Sequence, residues 1–173
     1  MRKLTLLFTF LTILTTNIRC FAQPGIHEAN TSYYVELGGN ALSYSINIDH
    51  LIRIQKVFAV APRTGFSYTP DLLDDKFGIT SFPFELNGLI PVSGQSHFFE
   101  LGPGFTYLLI FGRITTKDNG GILTFRLGYR YQRTDGGFMF RAGLLQMTHR
   151  FGDFSFNGKS TLTWAGISCG FAF

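Results

Sequence analysis

From residue 32 to the C-terminus, apolar and aromatic side chains recur at every second position, and the residues between them run to glycine, glutamate and arginine. In the segment from His97 to Gly112, one parity reads Phe99, Leu101, Pro103, Phe105, Tyr107, Leu109 and the other Glu100, Gly102, Gly104, Thr106. The segment from Ile122 to Gln132 sets Leu123, Phe125, Leu127, Tyr129 and Tyr131 against Thr124, Arg126, Gly128 and Arg130. The segment from Gly137 to His149 sets Phe138, Phe140, Ala142 and Leu144 against Met139, Arg141, Gly143 and Leu145. A period of two places alternate side chains on opposite faces of a strand. With 20 Phe and 7 Tyr and no helical period, the chain reads as all-β.

Eight such segments are counted. The first two, Ser32 to Gly39 and Leu42 to His50, exchange apolar parity across Gly39-Asn40, from odd (Tyr33, Val35, Leu37) to even (Leu42, Tyr44, Ile46, Ile48), as a tight reversal requires. Then follow Val57 to Tyr68, Ser81 to Ile90, His97 to Gly112, Ile122 to Gln132, Gly137 to His149 and Ser160 to Phe173. Brief connections such as Thr134-Asp135-Gly136-Gly137 alternate with mostly longer polar ones, including Thr69 to Thr80, Arg113 to Gly121 and Arg150 to Lys159. That asymmetry, an even strand number and segments near the roughly 9 to 11 residues of a tilted spanning strand predict an eight-stranded antiparallel up-and-down transmembrane β-barrel.

Alternation alone also suits a soluble sandwich, so the polar face decides. It is rich in glycine, which is useful where the interior of a small barrel leaves little space. Its strand-interior charges are Glu and Arg, which pair bidentately in confinement, whereas Lys56, Lys76, Lys117 and Lys159 all fall in connections. The polar parity collects Glu36, Glu85, Glu100, Arg63, Arg126, Arg130 and Arg141 into an expected lumenal salt-bridge network. Counting from the turns puts Glu85, Glu100, Arg130 and Arg141 at similar depth. An eight-stranded interior is filled by side chains, so the network is expected to plug the lumen rather than line a pore. Pro62, Pro83 and Pro103 each remove a ladder donor inside a strand, and β-bulges are expected there.

Ahead of these segments, Arg2 and Lys3 precede an apolar run from Leu4 to Leu14 and a polar stretch ending Cys20-Phe21-Ala22, the pattern of a secretory signal peptide cleaved after Ala22. Acylation at Cys20 is disfavoured by the bulky Arg19 before it. Removing 22 of the 173 residues leaves 151, enough for one barrel domain over residues 23–173. Arg2, Lys3 and Arg19 leave with the leader, so the formal charge of +4 falls to about +1 and gives no case for a nucleic-acid partner. Cys169 then stands alone, which excludes an internal disulfide and a cysteine zinc site.

The chain ends Ala165-Gly166-Ile167-Ser168-Cys169-Gly170-Phe171-Ala172-Phe173, apolar at alternate positions back from a terminal aromatic. This resembles the C-terminal signal of Gram-negative outer-membrane proteins. With the strand count and leader, it extends to a general likeness to small OmpA-like and OmpX-like barrels. The resemblance implies an outer-membrane location among lipid, with Ile167, Phe171 and Phe173 read by the barrel-assembly machinery. The expected role is structural or surface-interacting with no cofactor, an unidentified ligand meeting the loops around Asp71–Lys76, Lys117–Asn119 and Asp153–Lys159; unlike full-length OmpA, no peptidoglycan-binding domain is expected after the barrel, and so no cell-wall tethering. Two other readings stand beside it. A soluble periplasmic barrel with a lipocalin-like cavity needs the aromatic face turned inward. A lipid A-modifying enzyme rests on His149 near the outer leaflet, but no His-x-Ser pair accompanies it. His27, His50 and His97 join no carboxylate in a plausible metal or acid–base site, and Tyr107, Tyr129, Tyr131 and Trp164 read as packing and girdle residues.

Overall fold

A computed structural model describes residues 28–55, 57–70, 78–111, 118–151 and 161–173. The proposed leader, His27, the four lysines and most of the longer connections lie outside these residues. The described strands are β1 (Thr31–Gly38), β2 (Tyr44–His50), β3 (Ile52–Gln55), β4 (Phe58–Pro70), β5 (Gly78–Ser93), β6 (His97–Phe111), β7 (Asp118–Gln132), β8 (Gly137–Phe151) and β9 (Thr161–Ala172). Each pairs antiparallel with its neighbours in the order β2-β1-β9-β8-β7-β6-β5-β4-β3, and β2 also pairs with β4, which closes the sheet on itself. Because β2 and β3 follow one another along β4, Asp49 opposite Arg63 and Ile52 opposite Val60, they form one interrupted wall position. The ring is therefore a closed eight-stranded antiparallel β-barrel, in which β3 pairs with β4 alone.

The parity exchange between the first two segments is real, but the reversal is longer than two residues. Leu37 pairs with Tyr44, and between them Gly39–Ala41 make one 3-10 turn. Gly38 and Gly39 adopt φ of 71° and 65°, where a Cβ is disfavoured. Leu42 also has φ 71°, and the Ser43 N–H donates to the Ala41 carbonyl across it, a strained three-residue turn. Asn40 and Ala41 are buried, so this turn folds into the barrel mouth rather than standing above it. It shares that end with the β4–β5, β6–β7 and β8–β9 connections, while the opposite end carries Glu28, the C-terminal Phe173 and the short connections, among them the exposed turn where Arg133 donates to Asp135 and holds its carboxyl below the usual range.

The prolines do not make bulges. Pro62, Pro83 and Pro103 keep unbroken register with Leu86, Thr106 and Phe125. The cost of the missing donor falls on the other side of each strand, where pairing lapses for two residues without slipping. Pro62 faces the break between β2 and β3, Pro83 lies in the gap between Thr64–Phe84 and Ser67–Ser81, and Pro103 in the gap between Glu85–Gly104 and Gly88–Leu101. Register shifts occur instead near strand ends, between Arg53 and Gln55, Pro91 and Ser93, and Gly121 and Ile122. A ladder with proline therefore loses bonds locally and keeps the in/out parity that a bulge would disturb.

Candidate functional site

The two faces of the wall have opposite chemistry. Outward positions carry large apolar side chains, and Leu37, Ile46, Leu144 and Ile167 keep between 57% and 66% of their surface exposed. Phe66, Phe84, Phe125, Leu127, Phe138 and Phe171 continue that wall around the ring. Inward positions are polar at mid-height: Glu36, Arg63, Glu85, Glu100, Arg126, Arg130 and Arg141 are all buried, on β1, β4, β5, β6, β7 and β8.

Six of these seven form one connected belt. Glu36 accepts from Arg126 Nη2 at 2.7 Å and from Arg63 Nη2. Glu85 accepts from Arg63 Nη1 at 2.7 Å, Arg126 Nε at 2.9 Å and Arg141 Nη2 at 2.7 Å. Glu100 accepts from Arg141 Nε at 2.7 Å. Arg130 does not join them, although it sits directly opposite Arg141 in the β7–β8 ladder. It reaches across the lumen to Asp49 on β2, with Nη1 2.7 Å and Nη2 2.8 Å from the two carboxylate oxygens, and Gln132 also accepts from it. Four buried acids thus meet four buried arginines. An enclosed charge without a partner is penalised by several kcal/mol, so neutrality is the condition for stacking these groups inside a closed wall.

Asp49, Tyr34 and Asn47 escaped the sequence reading. Asp49 sits one residue from a segment end, beside His50, where a charge reads as part of a turn. Tyr34 falls on the polar parity of β1 but is aromatic; its ring lies 5.4 Å from the Arg63 guanidinium carbon and 5.7 Å from that of Arg141, and its hydroxyl accepts from Arg141 at 2.9 Å. Asn47 Oδ1 accepts from Arg63 Nη2 at 2.8 Å. The signal for all three was their inward parity, which outranks residue type.

Apolar layers lie on either side of the belt. Toward the short-turn end, Leu51, Ala59, Ala61, Leu89 and Phe98 pack together. Toward the long-loop end, Leu108, Ile122, Leu145 and Met147 pack with Leu42 of the inturned β1–β2 connection. That connection is also tied to the wall by Thr106 Oγ1, which donates to the Asn40 carbonyl at 3.1 Å. Gly104 leaves room for it: a Cβ there would lie 2.8 Å from Asn40 Nδ2 and 2.5 Å from Thr124 Oγ1.

Other singled-out residues sit apart from this centre. His97 Nδ1 lies 2.6 Å from the Tyr129 hydroxyl on the outer face, with the Tyr131 ring beside it, and His50 Nδ1 is 3.0 Å from Thr31 Oγ1. The backbone of His149 pairs with Ile122, and its side chain lies outside the described residues. Trp164 takes the inward parity opposite Leu145 at the long-loop mouth instead of the outer girdle. Among the described residues, no three His, Cys, Asp or Glu side chains gather as a metal site. On β9, Phe171 pairs with Tyr33 and Ile167 with Leu37, and Phe173 exchanges two backbone hydrogen bonds with Thr31 at 2.8 and 3.0 Å. The C-terminal residues are thus the seam at which the ring closes.

No family model matches the chain, and no curated protein matches it. Among solved structures, the crystal structure of the N-terminal β-barrel domain of Pseudomonas aeruginosa OprF is similar at 15% identity and a TM-score of 0.49, over 83% of this chain and 96% of that chain. In its own geometry the chain is a closed eight-stranded antiparallel β-barrel, charged within and apolar without.

Proposed function

We propose that the chain is a non-enzymatic structural protein of a Gram-negative outer membrane, its lumen sealed by the charge belt and its long loops free to meet a surface partner. The observation that carries this reading is the reversed polarity of the wall. In water, a barrel gains most of its stability by turning apolar side chains inward, at roughly 25 cal/mol per Å² buried. Here the aromatic parity faces outward around the whole ring, and only lipid gives that surface an apolar neighbour. A closed ring also satisfies the backbone ladder where no water can. The lipocalin-like reading needs the aromatic face inward, where the chain has carboxylates and guanidinium groups instead.

Fractionation of cells expressing the full chain tests the location. The protein is expected in the outer membrane, extracted only by detergent, and migrating faster on a gel unboiled than boiled because the closed ring resists unfolding. Recovery from the periplasm without detergent overturns the proposal. The proposed seal predicts a second result: in planar bilayers the folded protein is expected to pass no steady ionic current above the bare-membrane baseline, since the charge belt is flanked by an apolar cluster on either side. Reproducible open-channel steps from the purified barrel would contradict the plug.

A further inference from the structure

At the short-turn end, apart from the charge belt, a cavity of about 260 Å³ opens between Glu28, Arg53, Phe58, Pro91, Gln95 and Phe98. Its lining is divided by chemistry. Phe58, Phe98 and Pro91 supply apolar surface, and Arg53 supplies a guanidinium whose hydrogen bonding is incomplete. Arg53 Nε lies 3.0 Å from Glu28 Oε2, yet neither Nε nor Nη2 has an aligned hydrogen-bond acceptor, and both atoms are buried. Nε and Nη2 form one edge of the guanidinium, the edge that a planar carboxylate engages with two parallel bonds. Glu28 is itself a poor occupant of that edge. It precedes the first strand and its side chain is 52% exposed, so it can leave without disturbing the wall. Buried donors with no aligned acceptor from the protein, beside an apolar cavity, are the pattern of a ligand site.

We propose that this cavity binds a monocarboxylate bearing a ring-sized apolar group, entering from the short-turn end, with Glu28 as a built-in competitor. Arg53 pairs the carboxylate through Nε and Nη2, and Phe58 and Phe98 flank the apolar part. One guanidinium beside one glutamate suits a single negative charge and disfavours a phosphate dianion.

The site is tested on the full barrel folded in zwitterionic detergent, titrated with phenylacetate by calorimetry, and each variant is first checked for the boiled-against-unboiled gel shift. Phenylacetate is expected to bind with a Kd of about 1 mM, as befits so small a ligand. Glu28→Gln removes the competitor and is expected to tighten binding about five- to tenfold, whereas Arg53→Gln weakens it by about tenfold or more. Phenylacetamide, of the same shape without the charge, is expected to bind at least about tenfold more weakly. The opposite signs for Glu28→Gln and Arg53→Gln separate a ligand site from a structural ion pair, which would weaken alike on losing either partner. No saturable binding to wild type or Glu28→Gln overturns the site. Inorganic phosphate binding as tightly as phenylacetate overturns the carboxylate assignment. Neither result depends on which membrane holds the barrel.

Discussion

Replacing Glu85 with alanine is expected to lower the unfolding free energy of the barrel by about 3–5 kcal/mol, read as a shift in the denaturant midpoint in detergent micelles. Glu85 is the hub of the belt. It accepts from Arg63, Arg126 and Arg141, and Asn87 Nδ2 donates to it at 3.0 Å. Its removal leaves four buried arginines facing three buried acids. The loss is larger than for an exposed ion pair, which contributes about 0–1 kcal/mol, because Arg63, Arg126 and Arg141 keep their desolvation and each lose one of their acceptors. Adding Arg126→Met to Glu85→Ala restores a count of three and three and is expected to recover about half of the loss, the interaction that a double-mutant cycle isolates. A loss of under about 1 kcal/mol for Glu85→Ala would mean that the belt is hydrated and the lumen open.

If the barrel sits in a membrane as proposed, deleting Phe171-Ala172-Phe173 is expected to lower the heat-modifiable, membrane-inserted form by about tenfold, since an unclosed sheet would leave backbone donors and acceptors facing lipid. These three residues hold the last rungs of the β1–β9 seam, Ser32 opposite Ala172, Tyr33 opposite Phe171, and the reciprocal bonds between Thr31 and Phe173. The Phe173 ring also meets Tyr33 edge-on at 6.3 Å between centroids. Exchanging Phe171 and Phe173 for leucine keeps the seam and the apolar surface and removes only the aromatic character that the resemblance assigns to assembly. The truncation and the double leucine variant therefore separate ring closure from recognition. Equal losses in quantitative immunoblots of outer membranes would place the effect in recognition, and a loss confined to the truncation would place it in closure. Normal levels of the truncated chain would contradict both roles.

What the sequence made legible was parity. Glu36, Arg63, Glu85, Glu100, Arg126, Arg130 and Arg141 were assigned inward by counting twos, and the structure brings six of them into contact through a register that alternation alone does not specify. Depth along the barrel was not legible, because strand tilt and stagger decide which inward residues share a level. Arg130 therefore pairs with Asp49 across the lumen, and Glu100 pairs with Arg141. Strand ends were blurred where apolar alternation fades: β5 runs from Gly78 to Ser93, beyond both ends of the Ser81 to Ile90 pattern. The inturned β1–β2 connection was hidden for a different reason. Gly39-Asn40 is also what a short exposed hairpin turn looks like, and only the facing Gly104 and Gly166, seen once the ring is closed, leave space for it to fold inward.

Cys169 offers the most direct test of the inside-out wall, because it is exposed on the outer face of β9 between Ile167 and Phe171 and needs no engineered substitution. A nitroxide attached to Cys169 of a chain spanning residues 23–173 in lipid bilayers is expected to collide freely with molecular oxygen, which concentrates among acyl chains, and hardly at all with a water-soluble nickel chelate. The reverse pattern, strong collisions with the chelate and weak ones with oxygen, would place that face in water and contradict the account.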